Sequence, residues 1–180
     1  MSGNRLKLVL PTMEYESQVM AFREEMLENN DDFDGCAGLE KVSSYAEWIN
    51  LDEWLTKMYG ENHSPSDVYL AVRTSDNRVV GIIDFRHRLS EFLLNFGGNI
   101  GYSIRPADRG KGYATEMLGL LLEKCRESGA EKVLITCDKN NIASAKTIVR
   151  NGGILENEVE DTVGLVKSGE GIIQRYWINL

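Results

Sequence analysis

Apolar positions recur with two different spacings along the first third of the chain. Residues 5–11 alternate polar and apolar side chains and end in a proline, which predicts a strand. Apolar residues three or four positions apart follow, which predicts a helix capped by Thr12. An aperiodic loop over residues 29–38 then leads to a second helix, expected to begin at Ser43 or Ser44.

The middle of the chain contains short apolar runs that predict strands. Residues 68–73 and 78–88 are two such runs, and the Asp76-Asn77 dipeptide between them indicates a tight hairpin turn. Residues 99–106, which end in a proline, predict a third strand. No helical spacing interrupts these runs, so three strands are expected in succession.

The last third alternates helical and strand patterns. A helix over 113–128 is expected to end at Gly129, because glycine favours the left-handed conformation that closes a helix. The later elements are a strand over 132–138, a short helix over 142–150 and two strands over 154–160 and 172–180. The element order βααβββαβαββ predicts an α/β fold with a mixed central sheet flanked by helices. No linker or repeat interrupts it, so one domain over 1–180 is expected.

Composition and charge limit the partners of this domain. The 180 residues are 42% hydrophobic and 27% charged, and the net charge of −8 argues against nucleic acid or an anionic membrane as the main partner. Three scattered cysteines are too few for a disulfide framework or a zinc site, and no metal is expected. Without a signal-peptide core or a membrane-length apolar run, the sequence predicts a cytoplasmic protein.

The stretch "RPADRGKGYA", residues 105–114, joins a predicted strand to a predicted helix. The first amides of a helix lack partners and carry the positive end of its dipole, so glycines there allow a phosphate to approach closely. Arg109 and Lys111 add positive charge to this turn, which predicts a local anion site. The spacing fits neither a Walker A loop nor a dinucleotide fingerprint. The alternative is that Gly110 and Gly112 serve only a tight turn.

The segment Arg109-Gly110-Lys111-Gly112-Tyr113-Ala114 fits Arg/Gln-x-x-Gly-x-Gly/Ala and resembles the pyrophosphate loop of the GNAT superfamily of acyl-CoA-dependent N-acyltransferases. The element order is similar to that fold, and "NNIASAKTIVRNGG" resembles the Asn-x-x-Ser/Ala helix that follows in the family. The resemblance covers Arg5 to Leu180 and is strongest from Ile100 to Gly153. It implies direct attack of an amine on the thioester of acetyl-CoA, without a covalent enzyme intermediate.

The resemblance also implies which residues contact acetyl-CoA. Asn141 matches the family position that binds the CoA arm, and Ser144 belongs to the same motif; on spacing alone, Asn141 is equally a helix cap. A backbone amide at the end of the fourth strand would stabilise the developing oxyanion, within Tyr102, Ser103 and Ile104. The pyrophosphate would be bound by the amides of Arg109, Gly110, Lys111, Gly112, Tyr113, Ala114 and Thr115.

Three side chains are candidates for moving protons or orienting the substrates. His87 ends the strand "GIIDFRHR" and is a candidate because histidine suits proton relay, although a surface histidine between two arginines is the alternative. Asp84 is a carboxylate on a central strand, where it needs a purpose or a partner. Tyr102 could orient the acceptor or the thioester, or simply pack.

One position departs from the family pattern. Many members have a tyrosine seven residues after the helix asparagine as the acid for the leaving thiolate, but here that position is Ile148. Either another group protonates the thiolate or it leaves unprotonated, which a thiol pKa near 8.5 tolerates. The departure keeps a non-catalytic acyl-CoA-binding or sensor module open as an alternative to an N-acetyltransferase. A different phosphate-binding α/β protein is a further alternative.

The acceptor is expected to be a small-molecule or peptide amine. Asp31, Asp32 and Asp34 in the loop after the first helix would favour a cationic amine, unless they are a solvated charge run. The last strand, residues 172–180, could pair across a homodimer as an edge strand.

Overall fold

The computed structural model describes residues 4–57, 64–166, 169 and 171–180, so His63, which the sequence predicts to be solvated, lies outside the described residues. The helices are α1 (Glu16–Glu28), α2 (Tyr45–Lys57), α3 (Tyr113–Glu127) and α4 (Ile142–Arg150). The strands are β1 (Leu6–Val9), β2 (Ser66–Arg73), β3 (Arg78–Arg86), β4 (Ile100–Ile104), β5 (Lys132–Asp138), β6 (Ile154–Glu160) and β7 (Ile172–Asn179). The predicted α/β order is confirmed.

The structure divides the predicted central sheet into two antiparallel parts. The first part has the order β1-β2-β3-β4 and the second the order β5-β7-β6. The last strand, β7, therefore lies between β5 and β6, and both of its edges are already hydrogen-bonded. The prediction that this strand pairs across a dimer is wrong for that reason, and β6 is the free edge instead.

Strand β3 is buried on both faces, which explains why its sequence reads as a continuous apolar run. Val79 and Ile82 pack with α1, α2 and β2 in one core cluster, which also contains the fully buried Trp48. Ile83 and Phe85 point to the opposite face and pack with α3, β5 and β7 in the other. Helices on both faces thus hold β3 and β4 in place.

The two sheet parts meet at the start of β4 and separate further along. The Asn99 amide N–H donates to Leu134 O over 2.7 Å, and Leu134 N–H donates to Asn99 Oδ1 over 2.8 Å. Gly98, at a φ of +67°, touches the same strand so closely that a Cβ there would lie 2.7 Å from Leu134 O. Beyond this junction, β4 and β5 form opposite walls of a cavity.

Candidate active site

A cavity of about 1100 Å³ opens where β4 and β5 diverge. It is lined by the start of α3, by the loop over residues 31–34 and by Phe92, Leu93, Phe96 and Gly97. The walls between them come from residues 100–104 of β4, residues 136–138 of β5 and the first turns of α4. One continuous cavity therefore borders both the glycine-rich turn and these two neighbouring segments.

The turn before α3 presents backbone amides to this cavity. Gly112 is the N-cap residue with a φ of +81°, and it supplies no side-chain cap. Gly110 has a φ of +75°, and a Cβ there would meet no atom within 4 Å, so the turn has open space in front of it. In the described part of the chain, no amide from 110 to 114 donates a hydrogen bond. These orphan donors suit a pyrophosphate.

The positive side chains of the turn are already paired, contrary to the expected anion site built on their charge. The Arg109 guanidinium contacts the Asp31 carboxylate at 2.7 and 3.0 Å and donates to Ile104 O over 3.0 Å. Lys111 Nζ lies 3.0 Å from Asp108 Oδ1 and donates to Ala107 O over 2.9 Å. Carboxylates of this acidic chain neutralise both cations. The main-chain amides are therefore the principal hydrogen-bond donors for an anion at this turn.

Asp108 holds the underside of the turn. Its side chain is 3% exposed and pairs with Arg73 at 3.1 Å, Arg78 at 2.9 Å and Lys111 at 3.0 Å. Burial alone would raise the pKa of Asp108, but the bonds from Arg78 and Lys111 outweigh it and hold that pKa below its ordinary value. The carboxylate therefore fixes the turn in its cavity-facing conformation.

Alternation along β4 decides which amides face the cavity. Arg105 N–H donates to Val80 O on β3 over 2.8 Å, and neighbouring residues of a strand point their amides to opposite sides. The N–H groups of Ile104 and Tyr102 therefore point to the cleft, whereas that of Ser103 points to β3. The Ser103 hydroxyl instead donates to Asp34 O over 2.8 Å.

Two hydroxyls meet in the middle of the cleft. Tyr102 Oη lies 2.8 Å from Ser144 Oγ on α4, and both residues line the cavity with Cys137. Burial raises the pKa of Tyr102 well above 10, so its phenol remains a donor at neutral pH. Burial also raises the pKa of Cys137 to about 11, so its thiol is neutral there. Asn141 caps α4 by accepting from Ser144 N–H over 3.0 Å, as the cap alternative predicts.

The sequence of this chain matches that of a known protein family. The model of the GNAT acetyltransferase domain matches residues 18–154, more than half of the chain. The chain belongs to the GNAT acetyltransferases. As a member of that family it takes acetyl-CoA as its acyl donor, which agrees with the resemblance in sequence. No curated protein sequence matches this GNAT chain significantly.

Solved structures of acetyltransferases share the fold along almost the whole chain. The ribosomal L7/L12 α-N-protein acetyltransferase RimL, solved with coenzyme A, has a TM-score of 0.73 at 16% identity, covering 99% of this chain and 96% of its own. The microcin C7 self-immunity acetyltransferase MccE, solved with acetyl-CoA and AMP, has 0.69 at 16%, covering 99% and 94%. The ribosomal-protein-S5-alanine acetyltransferase from Vibrio fischeri has 0.67 at 12%, covering 99% and 95%. At these identities the likeness establishes the GNAT fold.

The structure does not bring His87 to the active-site cavity of this GNAT enzyme. Strand alternation turns it to the face opposite Asp84, where its ring packs 4.6 Å from the Phe85 ring. Its Nε2 lies 2.9 Å from Asp67 Oδ2, and the side chain is 36% exposed. The surface alternative describes it, and we withdraw His87 as a base.

Asp84 is buried, and its carboxylate holds β4 in place. Its Oδ1 accepts from Gly101 N–H over 2.8 Å, and its Oδ2 contacts Arg86 at 3.0 Å. Burial raises its pKa, although Arg86 opposes the rise. Arg86 in turn donates to Gly97 O over 2.9 Å. Asp84 therefore positions backbone at the cavity and does not line it.

The loop over residues 29–38 is tied down, unlike a loose charge run. Trp48 Nε1 donates to Cys36 O over 2.9 Å, and Cys36 is fully buried. Gly35, at a φ of +71°, packs directly against Gly101 of β4. Asp31 is paired with Arg109, so the acidic rim expected from three aspartates loses one of them to the turn.

The part of the cavity lined by residues 31–34, Glu40, Phe92 and Phe96 is the acceptor end, and two of its features have only weak signals in the sequence. Glu40 lines the cavity, and its buried Oε2 has no hydrogen-bond partner among the described residues. Phe92 and Phe96 line it as well, with ring centroids 5.9 Å apart. Leu93–Gly97 forms a short π-helical turn that Thr136 fixes by donating to Phe96 O over 2.7 Å. Periodicity over so few residues does not identify such a turn.

The described residues contain neither a membrane-length helix nor a cluster of metal ligands. No helix there is long and apolar enough to cross a membrane. Within the same residues, no group of three or more His, Cys, Asp or Glu side chains could hold a metal ion.

Proposed function

We propose that this GNAT enzyme transfers an acetyl group from acetyl-CoA to the α-amino group of a peptide or protein by direct attack in a ternary complex. The observation that carries the proposal is the single cavity that joins the orphan amides of the turn to an acceptor end with an unpartnered carboxylate oxygen. Holding both substrates in one cleft supplies much of the rate acceleration.

Backbone amides bind acetyl-CoA, the acyl donor, and stabilise its reacting carbonyl. Those of residues 109–115 bind the pyrophosphate, with Gly110 and Gly112 giving it close access. The cleft-facing N–H groups of Tyr102 and Ile104 stabilise the oxyanion that forms when the thioester carbonyl is attacked. Ser103 has a positioning role, because its hydroxyl holds the loop at Asp34 O.

The Tyr102–Ser144 hydroxyl pair receives the leaving thiolate in place of the missing tyrosine. Ile148 is fully buried in the core and offers no polar group. Because burial raises the pKa of Tyr102 far above that of a thiol near 8.5, the phenol stabilises the thiolate by donating a hydrogen bond and keeps its own proton. The departure at Ile148 thus leaves catalysis possible, and nothing favours a non-catalytic sensor.

Glu40 accepts a proton from the acceptor ammonium. A protonated amine has no lone pair for attack, so a carboxylate must take the proton directly or through water. Glu40 lines the cavity, its shielded Oε2 has no hydrogen-bond partner among the described residues, and its Oε1 lies 3.8 Å from Lys41 Nζ. Of the sequence candidates for a base, His87 is exposed elsewhere and Asp84 is fully engaged by Gly101 and Arg86.

Two observations support a peptide or protein acceptor. RimL and the Vibrio fischeri enzyme are named as acetyltransferases of ribosomal proteins. The acceptor end also combines the Phe92–Phe96 ring pair with the backbone of residues 31–34, which suits a short chain with an apolar side chain more than a small polyamine.

The test measures binding and transfer separately. Calorimetric titration with acetyl-CoA uses the wild type, Gly110→Trp and Gly129→Trp, because both glycines have positive φ and open space, but only Gly110 faces the cavity. We expect micromolar binding that Gly110→Trp abolishes and Gly129→Trp retains. Thiol release is then measured with peptides of varied N-terminus, their N-formylated forms, spermidine and an aminoglycoside. Turnover of small polyamines in preference to every peptide would refute the acceptor class.

A further inference from the structure

Arg86, the last residue of β3, lines the cavity and uses only part of its guanidinium for internal contacts. Its Nη1 donates to Gly97 O over 2.9 Å and to Gly98 O over 3.3 Å, at the end of the segment that carries Phe92 and Phe96. Its Nε lies 3.0 Å from Asp84 Oδ2. These contacts fix the plane of the guanidinium at the acceptor end.

The third nitrogen of this guanidinium, Nη2, keeps its N–H donors available. It donates to no described residue, and the Arg86 side chain is 22% exposed. A Cβ added at Gly101 would lie 3.0 Å from Nη2 and 2.7 Å from Gly35 N. The glycine at position 101 therefore leaves room beside Nη2, where β4 meets the loop that follows α1.

The charges at the acceptor end favour a neutral ligand atom for this donor. Asp84 neutralises Arg86 from a buried position, and Glu40, Asp32 and Asp34 add negative charge to the lining. A carboxylate beside Nη2 would be repelled by these groups, whereas a carbonyl oxygen accepts from the guanidinium without bringing a charge of its own. Arg86 is thus suited to an amide carbonyl.

Two groups of opposite kind consequently line the acceptor end without a hydrogen-bond partner among the described residues. Glu40 Oε2 can only accept, and Arg86 Nη2 can only donate. The first residue of a peptide carries the matching pair, because its ammonium donates and the carbonyl oxygen of its peptide bond, three bonds away, accepts. The ε-amino group of lysine and the amines of polyamines have no carbonyl at that spacing.

We propose that Arg86 determines acceptor specificity by donating from Nη2 to the carbonyl oxygen of the acceptor's first peptide bond. The contact selects α-amino groups over lysine side chains and alkyl amines. The inference rests on the proposed function, because it adds a binding residue to the same acceptor site. Asp84 and Gly97 O hold the guanidinium in place before the acceptor arrives, so little conformational entropy is lost on binding.

Thiol release with two matched acceptors tests the assignment. Phenylalanine N-methylamide keeps the carbonyl, and 2-phenylethylamine lacks it. Arg86→Lys retains a cation beside Asp84 but not the planar fork of donors. It should lower kcat/KM about tenfold for the amide and less than about twofold for the amine. Each acceptor is compared between two proteins, so the different pKa values of the two amines cancel.

A second variant, Asp84→Asn/Arg86→Gln, leaves no buried charge unpaired and should show the same selective loss. The matched control is Arg88→Lys, because Arg88 is exposed and lies outside the lining of the cavity, and it should change neither acceptor. An equal loss for both acceptors would overturn the inference, since Arg86 would then only support the backbone. An unchanged kcat/KM for the amide would also overturn it. Absence of transfer from the wild type to every amine and peptide tested would refute the proposed function itself.

Discussion

Replacing Gly35 with alanine should detach the acceptor loop from β4. Gly35 has a φ of +71°, and its added Cβ would overlap the carbonyl of Gly101 and lie 2.7 Å from Tyr102 N. These neighbours are backbone atoms of a strand that β3 holds in register, so they cannot rotate away as a side chain would. The loop has to move instead.

The size of the effect follows from two contributions. An alanine in the left-handed region costs about 1–2 kcal/mol. Moving the loop also breaks the bond from Ser103 to Asp34 O, worth about 1 kcal/mol, and loosens the packing of the buried Cys36, worth about 1 kcal/mol more. The free energy of unfolding should fall by about 3–4 kcal/mol in total. For a domain of this size that corresponds to a Tm decrease of about 10 °C.

Urea unfolding of the ligand-free protein measures this loss, and Gly129→Ala is the matched control. Gly129 also has a positive φ, +85°, but a Cβ there meets no atom within 4 Å, so about 1–2 kcal/mol is expected. Steady-state kinetics of Gly35→Ala should show a raised KM for the acceptor peptide. Equal destabilisation by the two variants would refute the reasoning, because it would mean that the contact with Gly101 carries no energy.

Further predictions concern single side chains. Tyr102→Phe should lower kcat about tenfold without changing the Kd of acetyl-CoA. Because burial raises the pKa of Tyr102, the wild-type kcat should show no ionisation of the phenol up to about pH 10. A decline of kcat at alkaline pH that disappears in the variant would contradict this. Glu40→Gln should lower kcat/KM about 100-fold without changing the Kd of acetyl-CoA, and an unchanged kcat/KM would exclude Glu40 as the proton acceptor. Arg109→Gln should weaken acetyl-CoA binding less than about threefold in calorimetry, because the guanidinium is paired with Asp31, and a tenfold loss would restore it as a phosphate ligand. Asp108→Asn should cost about 3 kcal/mol at pH 7. Since the folded pKa of Asp108 lies below its unfolded value near 4, the stabilisation is present above pH 4 and lost as pH falls through the folded value, so chemical unfolding should show the gap to the wild type narrowing there.

The sequence predicts the element order well because each element has its own local signal. Lys132–Asp138 and Ile142–Arg150 agree with the structure to the residue, since a turn or a cap bounds each of them. Sheet order is different, because pairing of β7 between β5 and β6 depends on contacts between residues distant in sequence. The segment Leu93–Gly97 is fixed by side chains from other strands, so its own residues carry no pattern.

The candidate site shows the same division. The glycine-rich turn is recognisable because helix-start chemistry is local, and Tyr102 and Ser144 meet as members of predicted elements. The orientation of His87 depends on a strand's parity, which a single misjudged boundary reverses. Glu40 has no local signal in the sequence, because it reaches the cavity only when the segment after α1 folds back towards β4.

The charges of this cavity explain how an acidic chain can bind a polyanion. Arg109 is paired with Asp31, and Lys111 is paired with Asp108. The Arg109–Asp31 pair fixes the turn and the acceptor loop with respect to each other. In the proposed function, neutral amides then bind the pyrophosphate, and their geometry rather than net charge gives the selectivity. Lys146 and Arg150 on α4 also line the cavity and form no ion pair with any described residue, so they can attract an anionic ligand before it reaches the turn. If both statements hold, raising the salt concentration should slow the association of CoA with the wild type and leave that of a Lys146→Gln/Arg150→Gln variant nearly unchanged, a difference that stopped-flow fluorescence can measure. Equal salt dependence in the two proteins would place the attracting charge elsewhere.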